Sequence, residues 1–220
     1  MKKPKIFIAC DTTNLNKVKK IMIQSKTNKI KIGYKFGLEF MNSKNGRKFI
    51  SSIKNKIIFI DLKLNDTVNT MLSAVKALRD LKINYLTVHI SSGLAALRAV
   101  KKVSGKIKIV GVTTLTSLNN NDLRLIGYNK SVKNLVAHQA KLAKRAALDA
   151  LVCSPYEVSG VRKIFKREII TPGVQIGRKN YDQKRSMEAK KVQSDWLVIG
   201  RAITRGNIKK NIQNLSKELQ

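Results

Sequence analysis

The feature that most constrains the fold is a regular alternation of short β-branched runs with longer stretches of helical spacing. Eight runs have the length and the Val, Ile and aromatic content typical of strands. These predicted strands are Lys5–Cys10, Lys29–Gly33, Lys56–Asp61, Tyr85–Ile90, Lys106–Val112, Ala150–Ser154, Glu168–Thr171 and Trp196–Ile199. Strict alternation of strand and helix is typical of a parallel sheet covered by helices.

The stretches between the strands predict the covering helices. In Thr67–Lys82 and Val132–Leu148, apolar residues recur three or four positions apart. Further helices are expected after Asn14, Gly37, Gly93, Glu157, Asp182 and Thr204. Eight strand–helix units in 220 residues predict an α/β fold, a single (β/α)8 TIM barrel with eight parallel strands. A doubly wound open sheet is the alternative. The uniform composition predicts one domain over residues 1–220.

Charge is the strongest signal in the composition. Lys and Arg number 45 against 13 Asp and Glu, a formal net charge of +32. Such an excess of basic residues is one indication of a nucleic-acid-binding module. The lysines are scattered along the chain, however, and aromatic residues make up only 5%. This pattern favours a solvated basic surface, which would help to gather a small anionic substrate.

Other composition features exclude several classes of protein. Cys10 and Cys153 each lie in an apolar run without metal-type spacing, which predicts reduced core thiols in a cytoplasmic protein. No apolar run approaches the ~20 residues of a membrane-spanning helix, and the amino terminus does not resemble a signal peptide. The chain shows no His/Cys/Glu cluster, no Ser–His–Asp arrangement and no Gly-x-Gly-x-x-Gly. We therefore expect neither a metal nor a cofactor.

The most informative stretch is Ile57–Thr70. In a barrel the catalytic side chains stand at the carboxyl ends of strands, and Asp61 and Lys63 close the third predicted strand on one face. Asp66 follows in the loop and could turn back toward Lys63. A carboxylate–ammonium–carboxylate group at a barrel mouth is costly to desolvate and needs mutual pairing. The Asp61–Lys63–Asp66 group therefore indicates either a catalytic site or an interior salt bridge whose only role is to hold the loop after the strand in place.

Further polar residues follow the other predicted strands. Lys31 lies late in the second strand with inward-facing parity and could extend the same network. Asp11 could accept hydroxyl groups or serve in an N-cap or turn. His89 could line the pocket or be structural, and His138 is expected on the surface of a helix.

Two loops have the chemistry of anion-binding sites. Thr171-Pro172-Gly173-Val174-Gln175 follows strand seven, and Ile199-Gly200-Arg201 follows strand eight. These are the usual phosphate-binding positions in barrels. Glycine lets backbone N–H groups approach an anion, and an arginine offers a bidentate fork.

Taken in order, these residues resemble the orotidine 5′-phosphate decarboxylase family. The run Asp61-Leu62-Lys63-Leu64-Asn65-Asp66, followed by Asn69-Thr70, is similar to the family's signature. The likeness extends almost end to end. It includes Ala9-Cys10-Asp11, Lys31-Ile32-Gly33, Thr87-Val88-His89, Gly111–Ser117, Val152–Pro155, Thr171-Pro172-Gly173, Asp182-Gln183 and Val198–Arg201.

The resemblance implies a cofactor-independent decarboxylation of orotidine 5′-phosphate to uridine 5′-phosphate. It makes Lys63 the proton donor to C6 of the pyrimidine, in a charged network with Asp61 and Lys31. Asp66 would come from the neighbouring subunit of a homodimer. The other expected substrate-binding residues are Asp11, Lys31, Thr67, Thr70, Thr116, Gln175, Gln183, Gly200 and Arg201. Of these, Asp11 and Lys31 would bind ribose, Thr116 would lie near the ribose and base, and Gln183 with Gly200-Arg201 would hold the phosphate.

The sequence departs from the family's pattern at two places. Thr67 and Val68 stand where the family reads Ile-Pro, so the pocket wall is expected to be more polar. Gln175 replaces an arginine, so phosphate binding would depend more on Arg201, backbone donors and Arg178. A related alternative is a Mg²⁺-dependent sugar-phosphate decarboxylase or synthase, because those enzymes also carry an Asp-x-Lys-x-x-Asp run. The Leu-Thr-Ser and Thr-Pro-Gly segments favour the nucleotide enzyme.

Overall fold

The computed structural model describes residues 5–175 and 187–219. The strands are β1 (Lys5–Ala9), β2 (Lys31–Gly37), β3 (Ile57–Leu64), β4 (Tyr85–His89), β5 (Lys108–Val112), β6 (Ala150–Val152), β7 (Glu168–Thr171), β8 (Val174–Gln175), β9 (Met187–Glu188) and β10 (Trp196–Ile199). The helices are α1 (Leu15–Gln24), α2 (Leu38–Met41), α3 (Gly46–Ser52), α4 (Val68–Ala77), α5 (Gly93–Val103), α6 (Asn120–Leu125), α7 (Val132–Arg145), α8 (Val158–Ile164), α9 (Arg201–Thr204) and α10 (Ile208–Glu218). Short 3-10 turns occur at Arg79–Leu81, Ile90–Ser92, Pro155–Glu157 and Ala189–Lys191.

Eight of these strands form a closed barrel in the order β1-β10-β7-β6-β5-β4-β3-β2. All neighbouring strands in the barrel are parallel, and β1 pairs with β10 to close it. The predicted (β/α)8 barrel is thereby confirmed over the open sheet. The strands β8 and β9 form a separate parallel pair.

Two barrel strands extend further than predicted. β2 continues to Gly37, because its ladder with β3 runs on through Lys35 opposite Phe59 and Gly37 opposite Asp61. β3 continues to Leu64, which pairs with Val88 of β4. Gly33 does not end its strand. A Cβ at this position would lie 2.6 Å from a ring carbon of Phe7, so the glycine makes room for that ring.

The amino-terminal half of the barrel is filled by aromatic side chains. Phe7 stacks on Trp196 with ring centroids 4.2 Å apart, and Phe59 and Tyr85 pack against it at 4.9 and 5.2 Å. At the same end, the Glu168 carboxylate accepts hydrogen bonds from the Tyr85 hydroxyl at 2.9 Å and the Lys108 ammonium at 2.9 Å. Because this end is packed among the described residues, we expect a ligand to enter from the carboxyl ends of the strands.

The helices cover the barrel through amphipathic faces. α1 buries Val18 and Ile21, and its N-cap Asn14 accepts the backbone N–H of Lys17 at 3.0 Å. α4 and α7 fall within the two stretches of helical period, whereas the helix expected after Asp182 begins outside the described residues. Among residues 5–175 and 187–219, no helix has both the length and the apolar character required to cross a bilayer.

Candidate active site

Polar residues meet around a cavity at the carboxyl ends of the strands. The cavity has a volume of about 350 Å³. Its lining comprises Ala9, Asp11, Lys35, Phe59, Asp61, Lys63, Val112, Thr116, Val152, Pro172, Gly173, Val174, Val198, Gly200, Arg201 and Ala202. The lining combines apolar side chains with a few charged and polar ones, an arrangement typical of a small-molecule site.

A bulge at the end of β3 presents the acidic and basic residues of this strand. Ile60 pairs with Leu86, and the ladder resumes only where Leu64 pairs with Val88. Three residues of β3 therefore lie opposite one residue of β4. Within the bulge, Lys63 adopts a left-handed backbone with φ of 51°, which is uncommon for a residue with a side chain. Irregular strand ends of this kind re-aim side chains next to active sites.

Four charged residues form what we call the charged cluster: Asp11, Lys35, Asp61 and Lys63. The Lys35 ammonium lies 3.3 Å from Asp11 Oδ1 and 3.4 Å from Asp61 Oδ2. The Lys63 ammonium donates a hydrogen bond to the same Asp61 oxygen at 3.0 Å. Carboxylates and ammonium groups thus alternate along the cavity wall, so each charge has an opposite neighbour.

Burial and pairing act in opposite directions on this cluster. Burial alone would raise the pKa of Asp61, but Lys35, Lys63 and hydrogen bonds from Lys63 and Thr87 hold it below its usual range. Burial alone would lower the pKa of Lys35, and the carboxylates of Asp61 and Asp11 instead raise it above the ordinary value. Both groups are therefore charged at neutral pH.

The structure corrects the assignment of Lys31. This residue is the first of β2, pairs with Lys5 and is exposed at the amino end of the barrel. Lys35 lies four residues further along the same strand and on the same face, within reach of Asp11 and Asp61. Lys31 does share the face of β2 that carries Lys35, as its position in the strand predicted. Because the predicted strand ended at Gly33, however, the prediction placed Lys31 and not Lys35 at the mouth of the barrel. The uninterrupted run Tyr34-Lys35-Phe36 after Gly33 is the signal that could have identified Lys35.

The segment after β3 faces solvent. Residues 65–70 are all exposed, and the Asp66 carboxylate accepts the backbone N–H of Thr67 at 2.7 Å. Hydrogen bonds from Thr67 and Thr70 lower the pKa of Asp66, and the hydroxyl oxygens of these two threonines lie 3.0 Å apart. Within the described part of the chain, no ion pair joins Asp66 to Lys63. The predicted turn of Asp66 toward its own Lys63 is therefore not formed.

The two predicted anion-binding loops open on the same cavity. Gly173 has φ of 74° after Pro172, a conformation that favours glycine, and Gly200 precedes α9. A Cβ at Gly200 would lie 3.9 Å from Asp11 Oδ2, so the absence of a side chain keeps this part of the cavity open. Thr116 and Arg201 also line it. The backbone of Gln175 lies in β8, whereas Gln183 and Arg178 fall outside the described residues.

The histidines and cysteines do not line the cavity. His89 Nδ1 lies 2.6 Å from the Ser91 hydroxyl oxygen, and burial together with Lys63 lowers its pKa. His138 is exposed on α7, as predicted. Cys10 and Cys153 are buried, as predicted, and burial raises the pKa of the Cys10 thiol to about 12. In residues 5–175 and 187–219, no three His, Cys, Asp or Glu side chains gather as metal ligands.

Comparison with known proteins agrees with this geometry. The model of the orotidine 5′-phosphate decarboxylase / HUMPS family matches residues 4–211. Orotidine 5′-phosphate decarboxylase from Wolbachia pipientis subsp. Culex pipiens is 40% identical over 90% of this chain and 91% of that protein. The enzyme of the same name from the Wolbachia of Brugia malayi is 38% identical over 96% of both chains.

A solved structure is similar over the whole length. The crystal structure of orotidine 5′-phosphate decarboxylase from Lactobacillus acidophilus superposes with a TM-score of 0.84 at 27% identity, covering 100% of both chains. Sequence and structure thus match the same group of proteins from end to end. This chain belongs to the orotidine 5′-phosphate decarboxylase / HUMPS family.

Proposed function

We propose that this protein decarboxylates orotidine 5′-phosphate to uridine 5′-phosphate in pyrimidine biosynthesis. The observation that carries the proposal is the Lys63 ammonium, held 3.0 Å from Asp61 Oδ2 on the wall of a closed-bottom cavity. Relatives that bear the name orotidine 5′-phosphate decarboxylase, at 34–40% identity to this chain, support it.

The reaction breaks the bond between C6 and the carboxylate carbon. Carbon dioxide leaves, and the electron pair stays on C6 in the plane of the ring, where it cannot delocalise into the π system. An ammonium fixed beside C6 stabilises this charge and then gives it a proton, which Lys63 later regains from solvent. Preorganised charge of this kind is usually the largest contribution to catalysis. Asp61 holds Lys63 in place from one side.

Binding of the remote phosphate supplies much of the remaining stabilisation. A reaction this slow without catalyst needs a barrier lowering of about 20 kcal/mol, which one lysine cannot provide. Gly200, Arg201 and the Pro172–Gly173 loop line the cavity and are suited to phosphate. The family resemblance makes Gln175 and Gln183 further candidates. Asp11 and Lys35 would bind the ribose hydroxyls, and Thr116 the region near the base.

The charged cluster also supports a reaction without a metal. Two carboxylates at a barrel mouth could hold Mg²⁺, but here the Lys35 ammonium lies between Asp11 and Asp61 at 3.3 and 3.4 Å. A divalent cation would have to displace this fixed charge. Turnover should survive treatment with a chelator, and strict Mg²⁺ dependence on a sugar phosphate would instead favour the related synthase activity.

We further propose that the active unit is a homodimer in which Asp66 reaches the partner's Lys63. The exposure of all residues from 65 to 70 supports this arrangement, since such a surface is available to a second subunit. Thr67 and Thr70 would then close the partner's pocket.

We place the protein in the cytoplasm, since its two buried thiols suit a reducing compartment. Nucleic acid is not expected as a partner.

The test is an ultraviolet assay of orotidine 5′-phosphate loss without added metal. Lys63→Ala should abolish turnover while the far-ultraviolet circular dichroism stays native. Lys101→Ala is the matched control, because it also removes a lysine paired with an aspartate, Asp149 at 2.7 Å, but outside the cavity. Near-native turnover in Lys63→Ala, or salt-sensitive RNA binding without any turnover, would overturn the proposal.

Subunit exchange tests the shared site. When Lys63→Ala and Asp66→Ala proteins are mixed in equal amounts, half of the dimers are hybrids, and each hybrid has one intact site. Activity should return to about one quarter of the wild-type value, if pairing is random between identical interfaces. No recovery despite demonstrated exchange would show that Asp66 acts within its own subunit.

A further inference from the structure

We propose that Thr87 is a positioning residue for the decarboxylation, in that its hydroxyl fixes Asp61 and the backbone of Lys63 relative to each other. This inference rests on the proposed function. Thr87 lies on β4 and is fully buried. It does not line the cavity, so its action passes through the two residues that do.

The Thr87 hydroxyl makes two hydrogen bonds of opposite sense. Its oxygen accepts the backbone N–H of Lys63 at 2.7 Å, and its O–H donates to Asp61 Oδ1 at 3.0 Å. One hydroxyl therefore connects the main chain of the proton donor to the side chain of its acidic neighbour. A hydroxyl group can donate and accept at the same time, whereas a methyl group can do neither.

The β3 bulge explains why this link is needed. Between the pairs Ile60–Leu86 and Leu64–Val88, three residues of β3 lie beside Thr87 alone. Lys63 has a left-handed backbone in this interval, and a residue with a side chain keeps such a conformation only where its surroundings enforce it. By accepting the Lys63 N–H, Thr87 supplies a side-chain anchor at the point where regular strand pairing is interrupted.

The same hydroxyl sets the orientation of the Asp61 carboxylate. Thr87 occupies Oδ1, which leaves Oδ2 facing both ammonium groups, Lys63 at 3.0 Å and Lys35 at 3.4 Å. Rotation of the carboxylate would break contacts on both oxygens together. The hydrogen bond from Thr87 also contributes to lowering the pKa of Asp61, which keeps this group ionised beside the substrate.

The expected consequence is a loss in kcat rather than in substrate binding. A displacement of about 1 Å in a reacting group can cost about 100-fold in rate. Thr87→Val preserves the shape of the side chain but removes both hydrogen bonds, so we expect kcat to fall about 10- to 100-fold. The loops suited to phosphate are untouched, so KM should change less than about 3-fold.

Two further variants separate positioning from mere packing. Thr87→Ser keeps the hydroxyl and should retain kcat within about 3-fold of wild type. Thr113→Val is the matched control, because Thr113 is also a buried threonine, and its hydroxyl donates only to the carbonyl of Val152 at 2.8 Å. This variant loses a comparable hydrogen bond and should keep wild-type kcat.

The experiment measures kcat, KM and the pH profile of the four proteins on orotidine 5′-phosphate. A kcat loss in Thr87→Val with rescue by Ser, and an acid limb moved to higher pH, supports the inference. Unchanged kcat in Thr87→Val, or an equal kcat loss in Thr113→Val, overturns it while leaving the proposed function standing. If Thr87→Val does not fold, Thr87→Ala, which also removes both hydrogen bonds, is measured by the same criterion. A folded wild-type protein that leaves the substrate intact overturns both proposals.

Discussion

Replacing Lys35 by methionine isolates what the charged cluster contributes to the stability of the barrel. The methionine keeps an apolar stem of similar length but removes the ammonium between Asp11 and Asp61. Since Nζ lies 3.3 and 3.4 Å from the two oxygens, these oxygens are at most about 6.7 Å apart. Two carboxylates then face each other across the space without the intervening cation.

The magnitude follows from the burial of each partner. Removing one member of a buried ion pair costs about 3–5 kcal/mol, because it leaves an uncompensated charge. Asp61 has only 13% of its side chain exposed and bears most of this cost, although it retains Lys63. Asp11 is 60% exposed, so its ion pair with Lys35 adds little. We therefore expect Lys35→Met to lower the free energy of unfolding at pH 7 by about 3 kcal/mol.

The pH dependence of this loss is a more specific test. In the wild type the pKa of Asp61 is lowered, so its stabilising contribution is present above the unfolded value of 3.8 and is lost as the pH falls through the folded pKa. Without Lys35, burial should move this pKa upward. Protonation of Asp61 would then remove the unfavourable buried charge of the variant at acidic pH. The difference in the free energy of unfolding between variant and wild type should therefore shrink as the pH falls.

Urea unfolding at pH 7 and pH 4.5, followed by circular dichroism, measures both effects. Lys31→Met is the control, because it makes the same substitution on the same face of β2 at an exposed position. The control should change stability by less than about 0.5 kcal/mol at either pH. If Lys35→Met is no less stable than the control at pH 7, or its deficit is the same at both pH values, the electrostatic argument is refuted.

Two further substitutions test the packing of the barrel. Glu168→Gln should lower the free energy of unfolding by about 1–3 kcal/mol, because it weakens the acceptor of Tyr85 and Lys108, without changing turnover; an unchanged urea midpoint would contradict this. A Cβ at Gly46 would lie 2.0 Å from the Phe40 carbonyl oxygen, whereas a Cβ on Gly160 meets nothing within 4 Å. In thermal unfolding, Gly46→Ala should therefore lose at least about 2 kcal/mol and Gly160→Ala gain up to about 1 kcal/mol; equal shifts would refute the steric argument.

The eightfold alternation and the acidic–basic run at the end of β3 were both predictable from local pattern. The periodicity of apolar residues indicates which face of each strand or helix is buried. Strict alternation of strands and helices allows only a few fold topologies in which all of those faces are buried. The residues Asp11, Asp61, Lys63 and Thr116 were placed at the cavity because they follow apolar strands, and the carboxyl ends of parallel strands meet at one edge.

Only the tertiary structure decided which lysine completes the cluster. From the neighbouring residues in the sequence, Gly33 is expected to end its strand. The structure shows another reason for this glycine, because Phe7 of the neighbouring strand occupies the space that a side chain would need. The bulge that pairs Lys63 with Thr87 likewise depends on a register between β3 and β4, residues 24 positions apart in the chain. The sequence by itself determined the barrel and the position of the acidic–basic run, because both follow from local periodicity. The pairing of Lys35 with Asp11 and Asp61 was decided by strand register, which is a property of neighbouring strands together.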